Sequence, residues 1–478
     1  MYRRKDYNQL SLIENANSFT VEINPKNRWV KLADLMPWDK IEEHYAANMC
    51  DDNGAGAIPS RIAFGAIYAK EKLNVTDTGI LENIQENAYI QYFLGLQNYQ
   101  GEPLFDSSMM VHFRRRFTKE FIAKVNDYIC TGIWSDDDVI SPNDLPPPDD
   151  SADIKREGKL TLDATVAPSD IRYPNDVKLL NECRQNCEKF IDDLWEKLPQ
   201  KSGKKTPYHR HNANKKFNNY IFNRKPSKSK TRNALSQQLT YVNSAINQVL
   251  SLVLLCGLDE LSERDWDRFN TICVIYLQQK FMFDNGTRSY ENKIMNLRQP
   301  HVRAIYRGKA NATYEYGQKL ALAKAKGFVF IENMSWENFN ECNTLVQSIA
   351  NFYRRFNHFP EVVLADKIYH TNENKKFCKK YDIRLGGTGA TRKNATNSEV
   401  KQARFDYRSR NEIEGVNGTL KRKHGLDLIM CWTQHNAEIE SALQTLDFNL
   451  ERRRALLFAF LFWWWFGRNR NGGKLVFQ

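Results

Sequence analysis

Apolar positions recur at helical spacing through the first quarter of the chain. Ile62, Ala66, Ala69 and Leu73 stand at i, i+4, i+7 and i+11, the stripe of an amphipathic helix. Shorter helices are predicted at 38–45, 78–86 and 88–94. Asp106 and Ser107 open another, with Met110, Phe113 and Phe117 on one face. After residue 158 the period changes. Leu160, Leu162 and Ala164 alternate with Thr161, Asp163 and Thr165, which predicts a half-buried strand. Helical spacing returns over 176–194. It continues in Leu235, Leu239, Val242, Ile246, Val249 and Val253, and in Trp266, Phe269, Cys273 and Tyr276. Residues 313–334 read as two strands meeting near 324–327, a hairpin. Leu345, Ile349 and Phe352 then line a helix over 343–356. The apolar run 361–365 predicts a strand buried on both faces and ends in Asp366. A helix from about 372 and a short strand at 382–385 follow. The segment 407–421 is two-faced: Ile413, Val416 and Leu420 on one side, Tyr407, Arg410, Glu414 and Lys421 on the other.

These elements imply a layered organisation. The acidic, proline-rich run SDDDVISPNDLPPPDDSADIKREG cannot form a core and reads as a linker over 135–158. It separates a small all-α N-terminal domain, 1–134, from an α/β domain, 159–450. The latter has a helical and basic insertion at about 174–312. An apolar tail, 451–478, closes the chain. Its run ALLFAFLFWWWF is too short to span a bilayer and predicts a packed terminal helix or strand, so no membrane partner is expected.

Charge changes the picture. The net charge is +12 and the pI near 9.1, a balance that suits a polyanionic partner. Lys201 to Arg232 holds eleven Lys or Arg and no acid, so the rest of the chain carries 12 − 11 = +1. Tyr208, His209, His211, Phe217, Tyr220 and Phe222 are interleaved with the cations. That mixture predicts a nucleic-acid-binding segment, with Lys204, Lys205, Lys215 and Lys216 on phosphate. Arg114, Arg115 and Arg116 on the last N-terminal helix are further candidates for DNA contact; a solvated basic face reads equally well. The nine cysteines are scattered with no zinc spacing, and no apolar leader opens the chain, so a reducing cytosol is the expected setting.

Three acids stand out. Asp163 sits mid-strand between threonines, where a bare carboxylate is disfavoured without a partner such as a metal. Asp366 ends a buried strand, a common position for a functional group, though a turn or capping role is as good a reading. Glu414 lies in a basic field, beside Gly415 and Gly418, which suggest close approach of something to the backbone. On residues alone an Arg410–Glu414 pair on a solvated face is the plainer account.

The spacing Tyr407-x2-Arg410-x3-Glu414-x6-Lys421 resembles the signature around the catalytic glutamate of DDE transposases from bacterial insertion sequences, in the insertion-sequence-five-like group. LTLDATVAPSDIRYPND and LADKIYHTNEN resemble the segments carrying that family's two aspartates, and 59–117 resembles the helical domain ahead of its catalytic domain. The resemblance covers about 59–450. It departs at His424 in KRKHGLDLI, where relatives more often carry an aromatic. The resemblance implies a ribonuclease-H-like mixed sheet with a helical insertion. It implies that Asp163, Asp366 and Glu414 are catalytic and hold two Mg2+ ions, with Mn2+ able to substitute. Hard oxygen ligands suit Mg2+, and two such ions activate the attacking oxygen and stabilise the leaving one. Water would nick the element end and the freed 3′-OH would join it to target DNA. Arg410 and Lys421 would contact phosphate and Tyr407 the DNA end. The implied partners are double-stranded transposon ends and target DNA, bound by a homodimer at the bacterial nucleoid. Two other readings stay open: a same-fold metal-dependent nuclease, and a domesticated DNA-binding protein.

Overall fold

The computed structural model describes residues 23–50, 56–136, 140–147, 155–198, 210–309, 312–389 and 395–470, with backbone alone for 307–309, 312–313 and 458–470. Two compact units are present. Met1–Pro168, Lys319–Ser335 and Phe339–Gln478 form one; Ser169–Gln318 and Trp336–Asn338 form the other.

The first unit opens with α1 (Arg28–Leu35), α2 (Trp38–Ala47), α3 (Ser60–Leu73), α4 (Asp77–Glu86), α5 (Ala88–Phe93), α6 (Met109–Arg115) and α7 (Lys119–Thr131). Of the α3 stripe, Ala66 and Ala69 are fully buried and Ile62 and Leu73 half-buried, while Phe64, Ile67 and Tyr68 off the stripe are also fully buried, so α3 is an interior helix; Met110, Phe113 and Phe117 are fully buried. Two helices were not foreseen. Asn27 caps α1 by accepting from Trp29 N, and Thr118 caps α7 by accepting from Phe121 N. Part of the 135–158 run packs rather than merely linking. Leu145 is buried in the core beneath the sheet, and Gln347 Nε2 donates to Ile140 O at 2.8 Å.

Next comes β1 (Lys159–Pro168). The second unit then supplies α8 (Asp176–Glu196), α9 (Arg210–Ile221), α10 (Lys228–Cys256), α11 (Glu263–Asp284) and β2 (Arg303–Lys309). Leu180, Cys187, Val242, Val249, Ile272 and Ile275 are among its core residues. Among the described residues, α10 is the helix long and apolar enough to cross a membrane by length and composition. It packs along α8 and buries Leu239, Val242, Val249 and Val253 there.

The chain continues through β3 (Ala312–Ala325), β4 (Phe328–Ser335), α12 (Leu345–Phe356), β5 (Val362–Leu364), α13 (Asn372–Lys380), β6 (Arg384–Gly386), α14 (Asn397–His424) and α15 (Gln434–Arg470). Lys326 and Gly327 make the predicted hairpin turn with φ of 49° and 87°. Two consecutive positive φ values match the twist of a tight antiparallel hairpin. The sheet order is β2-β3-β1-β5-β6, with β4 also paired to β3. β3 pairs antiparallel with β2 and β4, whereas β1, β5 and β6 run parallel. Here the expectation for β1 is corrected. It is a central strand, and Thr161 and Thr165 are as buried as Leu160 and Leu162. Alternation of Thr with Leu mimicked a half-exposed strand because threonine is small and β-branched enough for an interior one.

α14 packs on β1, β5 and β6, and α15 packs on α3, α6, α7, α14 and β4. The helical backbone of α15 runs through the apolar tail. Its side chains from 458 on lie outside the described residues; Leu456 and Leu457 are exposed.

Candidate active site

Register brings the two aspartates to one level. β1 and β5 are parallel neighbours pairing Lys159 with Val362, Leu160 with Val363 and Thr161 with Leu364. The same offset carried two residues further sets Asp163 opposite Asp366. Asp366 leaves the strand and caps the 3-10 turn Lys367–Tyr369, its Oδ1 accepting from Lys367 N at 2.6 Å. Tyr369, buried behind it, feels both acids. Burial first, then the Glu341 carboxylate, pushes the phenol up against an opposing Thr344 hydrogen bond, and Asp163 and Asp366 add to the push. Burial and Lys375 push the neighbouring His370 imidazole down, against its hydrogen bonds to backbone carbonyls and the Asp366 charge. Its Nε2 donates to Gly386 O at 3.3 Å.

The third acid comes on α14. A Thr396–Glu399 capping box starts this helix, and Ile413, Val416 and Leu420 are buried beneath it as the spacing requires. Glu412 ties it to the sheet through Lys159 at 2.7 Å and Lys324 at 2.8 Å. Burial pushes the Glu412 carboxyl up, but hydrogen bonds and charge from those lysines outweigh it and hold it low. Asn417 Nδ2 donates to Asp163 Oδ2 at 2.8 Å, so this face of α14 reaches β1. Glu414 is turned to Arg410, with Oε1 3.1 Å from Nη2. Arg410 is buried at the foot of the site. A Cβ on Gly387 would lie 2.7 Å from Ala365 O and 3.3 Å from Arg410 Cδ. With φ at +104°, Gly387 is the residue that lets β6 and α14 close on the strand end carrying Asp366.

Other expected residues scatter. Tyr407 is exposed, with the Arg410 guanidinium 5.5 Å from its ring, and Lys421 is half-buried on the same helix. Gly415 has no described neighbour within 4 Å, so the close approach expected there is not made within the chain. Arg114 needs a correction as a DNA contact. It is buried and its guanidinium is paired with Asp77, because Phe113 and Met110 turn that part of α6 inward. Arg115 is exposed, and Arg116 bonds the Tyr45 hydroxyl. In the insertion, Lys215 and Lys216 are exposed on α9, while Lys204 and Lys205 lie outside the described residues.

The donor set can be tested against a divalent cation. Among the described residues no three His, Cys, Asp or Glu side chains stand close enough to hold a metal ion. The three-acid cluster is therefore not assembled, because Glu414 is engaged by Arg410. Asp163 and Asp366 nonetheless carry hard oxygens that both act on the Tyr369 phenol, and Asn417 Oδ1, on the amide bonded to Asp163, is buried without a hydrogen-bond partner among the described residues. Mg2+ is usually held by one or two carboxylates plus substrate phosphate rather than by a full protein cage. The pair fits such an ion. Sequence reasoning missed Asn417, Tyr369 and Gly387; only Asn417, one helical turn beyond Glu414, left a signal.

A family model described as a transposase domain matches residues 18–116, and one described as a transposase DDE domain matches 363–451, a span holding Asp366 and Glu414 but not Asp163. A Rhizobium meliloti protein called uncharacterized protein ORF8 in nfe locus is 27% identical over 162 residues, 33% of this chain and 69% of that protein. No solved structure matches the chain. The two matches, a transposase domain followed by a transposase DDE domain, support a DDE transposase of an insertion sequence.

Proposed function

We propose that the protein binds the terminal inverted repeats of its element and catalyses metal-dependent strand cleavage and strand transfer at Asp163, Asp366 and Glu414. The parallel register of β1 on β5, which pairs Thr161 with Leu364 two residues before Asp163 and Asp366, carries this reading. The strand order β4-β3-β1-β5-β6, antiparallel then parallel, supports a ribonuclease-H-like assignment for the sheet. Asp163 and Asp366 would hold Mg2+, or Mn2+ in its place, and Glu414 would join them on leaving Arg410. A bound divalent ion supplies charge neutralisation at the phosphodiester and a more acidic attacking water or 3′-OH. Arg410 and Lys421 would hold phosphate on the α14 face, Arg by its planar fork and Lys as a point charge. Tyr407, exposed beside Arg410, would pack on the DNA end. Arg115 and the exposed lysines of α9 would add sequence-independent attraction to the backbone.

The test is cleavage of a plasmid carrying the element ends. Protein with Mg2+ or Mn2+ should nick at the ends and join them to a second duplex. Nicking without joining would leave a nuclease and remove strand transfer; no cleavage at any end sequence would remove the reading. Analytical ultracentrifugation on end DNA would test the homodimer proposed for the assembled complex.

A further inference from the structure

We infer that Asn417 is the positioning residue of Asp163: its amide fixes the carboxylate, and its second polar atom serves the incoming cation. The inference rests on the proposed function, since it takes Asp163 as a cation ligand.

The hydrogen bond is direct, Nδ2 to Asp163 Oδ2 at 2.8 Å, between residues on α14 and β1. An ionised carboxylate only accepts, so the amide must present its NH2 group to Asp163. Donation to the charged form favours that form. The amide is planar, so fixing Nδ2 also fixes Oδ1 within a few Å of the same carboxylate. Asn417 Oδ1 is buried and has no hydrogen-bond partner among the described residues. A buried acceptor left empty is costly, and such atoms call for a specific explanation, an ion or its water among them.

A purely structural role explains less. α14 is already docked by Ile413, Val416 and Leu420, and by Glu412 between Lys159 and Lys324. One further hydrogen bond adds little to that anchoring, and it brings an orphaned oxygen with it. Positioning explains both atoms of the amide. The donor holds Asp163 in one orientation, and the acceptor is a hard oxygen next to the Asp163 carboxylate, a donor type that suits a hard cation. Partners that orient a ligand in this way typically contribute ten- to hundredfold to metal affinity. Asn417 also lies one turn beyond Glu414 on the face of α14 that reaches β1.

The experiment measures Mn2+ binding to the full chain without DNA, by electron paramagnetic resonance of the free ion, alongside thermal unfolding and end cleavage. Asn417→Leu should weaken Mn2+ binding about ten- to hundredfold while the metal-free unfolding midpoint holds or rises. Its cleavage should recover as Mn2+ is raised. Asn417→Gln keeps the amide but displaces it by a methylene, and should fall between; it decides the matter if the Leu variant does not fold. Mn2+ affinity within twofold of wild type in a folded variant overturns the inference. Asp163→Asn separates the two levels. If it loses Mn2+ binding and the Asn417 variants do not, the inference alone fails. If it binds Mn2+ as wild type does, the site itself is wrong and the inference goes with it.

Discussion

Glu414 Oε1 lies 3.1 Å from Arg410 Nη2, one helical turn back on α14. The pair is lopsided. Arg410 is buried while the Glu414 side chain is mostly exposed. Exposed pairs at i,i+4 contribute only a few tenths of a kcal/mol. In the proposed mechanism Glu414 would leave Arg410 for the cation, and Arg410 would take a phosphate in exchange. Glu414→Gln should change stability by less than about 0.5 kcal/mol in urea unfolding and abolish end cleavage. Cleavage near the wild-type rate in that variant would remove Glu414 from the site.

Asp163 and Asp366 should behave as a unit. If each supplies ligand oxygens to one ion, as proposed, losing either should lose the ion's effect. A metal ion stabilises transition-state charge by several kcal/mol, which corresponds to about a hundredfold or more in rate. Asp163→Asn and Asp366→Asn should each slow cleavage at least that much, with end binding in gel-shift assays retained. The double variant should be no slower than either single one. Additive losses would show that the two acids act at separate places.

The far end of α14 makes an acid-sensitive joint. His424 Nδ1 meets Asp447 Oδ2 at 2.6 Å, and Asp447 also takes the Tyr68 hydroxyl at 2.8 Å and Lys72 Nζ at 3.0 Å. Burial pushes the Asp447 carboxyl up, but the His424 hydrogen bond and the Lys72 charge outweigh it and bring it to about 2. A carboxyl held below its ordinary value stabilises the fold above that value, and the contribution disappears as pH falls from about 4 to about 2. Asp447→Asn should flatten the stability profile over that window by about 2 kcal/mol, measured by urea unfolding at stepped pH. Wild-type and variant curves that stay parallel through it would refute the assignment.

Much of this architecture was legible because strong patterns survive burial. The stripes of α10 and α12 and the apolar face of α14 are where their spacing put them, whereas α3 is buried around most of its surface. Asp366 stood out because it follows an apolar run, and Asp163 because a carboxylate between threonines in mid-strand is unusual. What misled was chemistry that periodicity does not encode. β1 looked half-exposed because nothing in its own sequence says that it has a strand on both sides. Arg114 looked like a DNA contact because its partner, Asp77, is 37 residues away and no local pattern links them. α1 and β2 escaped because short elements leave few periods to read. The separation of Glu414 from the other acids was beyond reach, since Arg410 is an equally good partner on the same face.

The insertion offers the most direct test of DNA attraction. On α9, Arg210 pairs with Glu188 at 3.2 Å and Asp192 at 2.7 Å, so it is spent inside its own unit. Lys215 and Lys216 on the same helix are exposed. If α9 lies on phosphate, each exposed lysine releases counterions on binding, and each phosphate contact adds about 0.9 to the slope of log affinity against log salt. Replacing both lysines by Glu should shallow that slope by about 2 and weaken binding most at low salt, without altering the unfolding midpoint. Arg210→Glu should do the reverse. It leaves the slope nearly unchanged and lowers the midpoint, because it sets three acids against one another. The discriminating quantity is the slope, obtained from fluorescence anisotropy titrations across 50–200 mM salt, a range over which such contacts cost about 10³–10⁵ in affinity for the most heavily bound proteins. A slope unaltered by Lys215→Glu and Lys216→Glu together would mean that α9 is only solvated. The charge of the insertion would then serve something other than DNA.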